Sequence, residues 1–171
     1  MAFPPKTWVE EALFAADLNA SLRDNLNLLK SPSRVRVRRT AVVSMGNGWS
    51  TKSWTVADFN TDSMWSLGTN PTRITFNTAG LYVVGGSCGA AANANNTRGM
   101  ELKVNASRAI AAAGYYPATS LQATWLTCGC VHAFSVGDYL ELNEYQDSGG
   151  SLNDVVTDDG TPCMWAYRLA A

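Results

Sequence analysis

Charge is scarce in this sequence. Asp, Glu, Lys and Arg make up 16% of 171 residues, against roughly 25% in an ordinary globular domain. Histidine is reduced to one residue, His132. No nucleophile elbow, phosphate-binding glycine loop, paired-histidine zinc motif or dinucleotide fingerprint is present. Carboxylate pairs such as Asp58/Asp62 and Asp158/Asp159 fall in turn-like stretches. These absences point away from an enzyme, and no cofactor is implied. No stretch approaches the ~18 consecutive apolar residues of a membrane span. The start, Met1-Ala2-Phe3-Pro4-Pro5, lacks a charged segment followed by an apolar run, so we expect cytoplasmic synthesis and reduced thiols. There is no internal repeat.

What remains is apolar and turn-rich. Hydrophobic residues make up 46% of the chain and glycine occurs 14 times. So little charge beside so much apolar surface suggests burial between subunits. Residues 1–39 carry seven Lys/Arg and four Asp/Glu, a balance of +3; residues 40–171 carry six and ten, a balance of -4. The beginning is therefore the better place to meet an acidic partner, but the excess is too small for nucleic-acid binding.

Two regions follow. Residues 1–33 read as a docking segment with a helix over about 15–30. Leu18, Leu22, Leu26 and Leu29 are spaced 4, 4 and 3 apart and share one stripe; Asp17 is a candidate N-cap and Ser31-Pro32 a stop. A lone helix of four turns is marginal in water, and Trp8 and Phe14 are large apolar groups in a segment too short to bury them. Its own domain, symmetry mates or a larger particle can supply the partner.

Residues 34–171 read as one all-β domain. Arg34, Arg36 and Arg38 alternate with Val35 and Val37 at the strand period, so the arginines share a face that is either solvated or turned to an acidic partner. Further strands are expected over Arg39–Met45, Thr51–Phe59, Thr72–Phe76, Gly80–Gly86, Met100–Val104, Gln122–Phe134, Tyr139–Glu144 and Met164–Leu169. Turn signals such as Gly46-Asn47-Gly48 and Ser148-Gly149-Gly150 separate them. Gly89–Gly99 reads as a long loop whose only charge is Arg98.

Three ordered stretches carry a resemblance. They are Pro71–Val84, with its Thr78-Ala79-Gly80-Leu81-Tyr82 turn into an aromatic strand; Phe134-Ser135-Val136-Gly137-Asp138-Tyr139-Leu140-Glu141-Leu142; and Gln146–Leu152 followed by Met164-Trp165-Ala166-Tyr167-Arg168-Leu169. In this order they resemble the C1q/TNF-like jelly-roll family. The resemblance implies a jelly-roll sandwich and a homotrimer with apolar inner strands along a three-fold axis. The leader, Trp8 with Phe14-Ala15-Ala16-Asp17-Leu18-Asn19 and Leu22-Arg23-Asp24-Asn25-Leu26, resembles one on many phage tail and head-surface proteins. It implies a virion structural protein, a capsid decoration, head fibre or minor tail protein, assembled in the host cytoplasm. Trp8, Phe14, Leu18, Leu22, Leu26, Leu29, Arg34, Arg36 and Arg38 would anchor it to other virion proteins. The alternative is a tail appendage binding host surface glycans through loop aromatics.

Cys128, Cys130 and His132 share one strand face. Zinc, a disulfide to Cys88 or Cys163, and plain core packing are the readings, with core packing favoured because a flat row does not make a tetrahedron. The acidic stretch Asp154–Gly160 is a weak calcium candidate.

Overall fold

The computed structural model describes residues 22–23, 26–115, 121–158 and 160–170. The chain divides into two units, Met1–Pro32 and Ser33–Ala171. In the first, residues 22–23 and 26–30 are helical, and the Ser31 N–H closes on Asn27 O at 2.9 Å. Trp8, Phe14, Leu18 and the start of the expected helix lie outside the described residues.

Among the described residues, the second unit is a sandwich of twelve strands: β1 (Arg34–Arg38), β2 (Ser44–Met45), β3 (Gly48–Thr51), β4 (Val56–Asn60), β5 (Arg73–Thr75), β6 (Gly80–Ala90), β7 (Arg98–Val104), β8 (Arg108–Tyr115), β9 (Thr124–Phe134), β10 (Tyr139–Gln146), β11 (Leu152–Asn153) and β12 (Cys163–Ala170). One sheet runs β4-β1-β12-β6-β9. The other runs β3-β10-β7-β8, with β5 also on β10. β11 and β2 make a small clasp. Every pairing between these strands is antiparallel.

The alternation expected of β1 holds, with Val35 and Val37 fully buried and the arginines turned out. The core between the sheets is built from such inward positions: Tyr82 and Val84 of β6, Met100 and Leu102 of β7, Leu140 and Leu142 of β10, Met164 of β12. Phe76 stacks on Phe134 at 3.7 Å between centroids and meets the Tyr82 ring at 4.8 Å.

Three expectations change. The strand expected over Arg39–Met45 shrinks to Ser44–Met45, because Arg39 turns inward to an acidic partner and breaks the alternation. Thr51–Phe59 splits, with Lys52 buried between β3 and β4. β8, Arg108–Tyr115, is a strand the sequence reading did not contain: alanine is a poor strand former, so its local signal is weak and only pairing with β7 specifies it.

Candidate subunit interface and buried charge cluster

On its β12-β6-β9 side the sheet β4-β1-β12-β6-β9 carries an apolar area turned away from the core, while β1 turns Arg34 and Arg36 out on the same face beside Tyr167 and Trp165. Inward positions of β6 alternate with Leu81 and Val83, those of β12 with Trp165, Tyr167 and Leu169, and those of β9 with Trp125, Val131 and Ala133. Register aligns them: Val83 pairs with Val131 and with Tyr167, and Leu81 with Ala133. Phe59 of β4 adds a ring 5.5 Å from Tyr167, which in turn lies 6.0 Å from Trp165. Leu81, Trp125, Val131 and Leu169 are 37–55% exposed. The sequence signal was available: β6 and β12 are apolar in both phases of the strand period. That pattern marks a strand covered on both faces.

Glycines make part of this face flat. Gly85 and Gly89 lie beneath the Trp165 and Trp125 indoles, where a Cβ would stand 2.3 and 2.8 Å from ring atoms. Bare backbone under each indole lets it lie low on the sheet.

The neighbouring edge is also unusual. β9 pairs with β6 along one side only, and β8 ends the other sheet. Thr124–Phe134 contains neither proline nor any Asp, Glu, Lys or Arg, the devices that blunt an edge against association. Ile110, Ala111 and Ala113 of β8 and Cys128 and Cys130 of β9 are only partly buried where these strands meet the core.

The arginine row has partners inside the domain. Arg36 Nη1 and Arg38 Nε each donate to one oxygen of Asp58 at 2.6 Å, and the Arg34 guanidinium lies 5.5 Å from the Phe59 ring centroid. Leu22, Leu26 and Leu29 are exposed on the helical residues of the first unit.

Cys128, Cys130 and His132 remain a row, with His132 edge-on to Phe134 at 4.9 Å. All four cysteines are free, and among the described residues no three His, Cys, Asp or Glu groups converge as metal ligands. Burial pushes the Cys128 thiol up to about 11, helped by Cys130 beside it, and also raises Cys130. Asp154, the start of the calcium candidate, turns inward and is occupied. Arg98 is fully buried, donating to the carbonyls of Asn93, Asn95 and Thr97 at 3.0–3.3 Å. It organises the loop instead of decorating it.

A cluster missed by sequence reasoning lies beneath the β2–β11 clasp. Lys52, Glu144, Asp154 and Arg39 are 1–4% exposed. Lys52 Nζ contacts Glu144 Oε2 and lies 3.2 Å from Asp154 Oδ2 and 3.1 Å from Met45 Sδ. Arg39 Nη1 donates to Asp154 Oδ2 at 2.6 Å, and the Val43 N–H donates to Asp154 Oδ1 at 2.6 Å. No short-range spacing announces these four, which come from separate turns and strands.

No protein-family model matches the chain, and no curated protein sequence does. Solved structures do. Murine APRIL at pH 5.0 superposes with a TM-score of 0.62 at 10% identity, covering 81% of this chain and 100% of that one. The globular domain of zebrafish complement 1qA gives 0.60 at 9%, with 81% and 98% covered. The Eiger TNF of S. frugiperda gives 0.58 at 11%, with 81% and 93% covered. The fold is therefore a TNF/C1q-like jelly roll, as the sequence resemblance implied.

Proposed function

We propose that this chain is a non-enzymatic structural protein of a bacteriophage particle, a surface-exposed homotrimer anchored by its N-terminal segment. The observation that carries the assembly is the apolar face formed by Trp165, Tyr167, Val83 and Val131 beside the uncharged β9 edge. Water exclusion from such a face is worth about 25 cal/mol per Å². An edge meeting a face is a heterologous contact, and three copies close it into a ring without leaving a sticky end. The TNF/C1q-like fold supports the same reading. The anchor rests on the resemblance of the leader and on the leucine stripe continued by Leu22, Leu26 and Leu29. Three anchors on one trimer would bind with avidity.

A second reading has one observation in its favour. Trp49 is 52% exposed and tilts against Tyr145 at 5.2 Å on the opposite sheet, where Gly99 leaves bare backbone beside the rings. An exposed indole with polar neighbours suits a sugar face, so the module would recognise host glycans. Imaging of particles with and without the protein, together with a glycan array probed with the purified chain, separates the two. Electron density on the virion surface and an empty array support the structural role; sugar binding abolished by Trp49→Ala supports the second; neither result leaves both readings overturned.

A further inference from the structure

The four buried charges beneath the clasp sum to zero, but the two acids are not equivalent. Asp154 accepts from the Arg39 guanidinium and from the Val43 N–H. Glu144 has no such support. Among the described residues its oxygens receive no backbone N–H and no guanidinium; their neighbours are the Lys52 ammonium and the Cys88 thiol. Burial raises the Glu144 carboxyl, and Lys52 opposes that only in part. An ion pair in so dry a place is costly to maintain, and moving one proton from the ammonium to the carboxylate removes both charges.

We propose that Lys52 and Glu144 condense into an intramolecular amide, with Lys52 Nζ as nucleophile, the Glu144 side-chain carboxyl as acyl donor and Asp154 as proton relay. Proton transfer within the pair leaves a free amine against a neutral acid. The nitrogen lone pair attacks Cδ, an N–C bond forms, and the carbonyl electron pair moves to oxygen. Asp154 Oδ2, at 3.2 Å from Nζ, takes a proton from the nitrogen and returns it to the Glu144 hydroxyl. That hydroxyl leaves as water while the carbonyl reforms. One amine and one acid give one amide and one water, with no oxidant, metal or cofactor.

Two physical effects favour the step here. The reacting groups are already in contact, so no encounter entropy is lost. Free lysine and glutamate in water resist condensation because both are charged, and burial already raises the Glu144 carboxyl toward its neutral form. The product leaves Arg39 and Asp154 as a balanced pair, with the new amide N–H placed to donate to Asp154. It would tie the β3–β4 connection to β10 by a covalent cross-link, which suits a protein under mechanical load.

Intact-mass measurement of the full purified chain tests this. The expected mass is short by one water. Proteolysis should yield one branched peptide joining Lys52 to Glu144, with no tryptic cut after Lys52. The branch is the deciding signal, since the Asp159-Gly160 dipeptide can also lose water by ring closure. Lys52→Met and Glu144→Ala should restore the full mass. Glu144→Gln should lose ammonia in place of water, and Asp154→Asn should slow the reaction by about a hundredfold. Those variants refine the roles, but the unaltered protein decides. A full mass after prolonged incubation at neutral pH overturns the proposal, and so does a branch between Lys52 and Asp154.

Discussion

Trp165 lies directly on Gly85. A Cβ on that glycine would stand 2.3 Å from indole Cζ2 and 2.8 Å from Cε2. The ring is low on the sheet because its neighbour has no side chain. Gly85→Ala should lift the indole and cost about 1–3 kcal/mol, the usual range for overpacking. Chemical denaturation measures the cost, and tryptophan fluorescence reports the moved ring. An unchanged midpoint and spectrum would mean that Trp165 does not occupy this position.

The proposed assembly is tested on the same face. Native mass measurement should find three chains, and Val131→Asp should release single folded chains. Val131 is 55% exposed in the isolated domain, so the new carboxylate has little to disturb within one chain. Trimers that survive Val131→Asp would move the interface elsewhere.

Removing residues 1–32 should leave a folded β unit, since Ser33 is the first residue of that unit and its carbonyl accepts from the Arg168 N–H at 2.9 Å. The shortened protein should no longer join particles. Incorporation at the normal level, measured on purified virions, would remove the anchoring role of Leu22, Leu26 and Leu29.

The turn before β10 should weaken in acid. Asp138 accepts from Asn105 Nδ2 and from the Ser135 N–H, both at 2.8 Å. These bonds hold its carboxyl below the ordinary range, the Asn105 contact most strongly. A depressed folded value stabilises above the unfolded value and is lost as pH falls through the folded one. The difference between the natural protein and Asp138→Ala should be about 1–2 kcal/mol above about pH 5, and shrink below about pH 4. A pH-independent difference would show that the carboxylate charge plays no part.

Thiol labelling checks the β9 edge. With Cys128 raised to about 11 and Cys88 raised well above its ordinary value by burial, alkylation at about pH 8 should be slow in the folded protein. For Cys128 the deficit in thiolate is roughly a hundredfold. Denaturant should make all four free cysteines react. Fast labelling of Cys88 in the folded state would contradict its burial.

Much of the fold was legible locally. Period-two alternation in Arg34–Arg38 gave both the strand and its buried face, because each side chain's direction follows from its neighbour's. Gly137-Asp138 gave its turn for the same reason: the Asp138 carboxylate bonds an amide three residues away. The resemblance to the C1q/TNF-like jelly roll came from such short stretches in order, and the solved structures agree. β8 was not legible, since Ala109–Ala113 has no strand preference until β7 pairs with it.

Composition, the alternating strands and the turns between them were determined by the sequence itself, through contacts within a few residues. Tertiary structure alone decided that Lys52 meets Asp154 across 102 residues of chain, that Arg36 and Arg38 close on Asp58, and that Trp165 finds Gly85. Those pairings depend on strand register and sheet stacking, which sum many weak preferences over the whole domain and leave no mark in any single window of sequence.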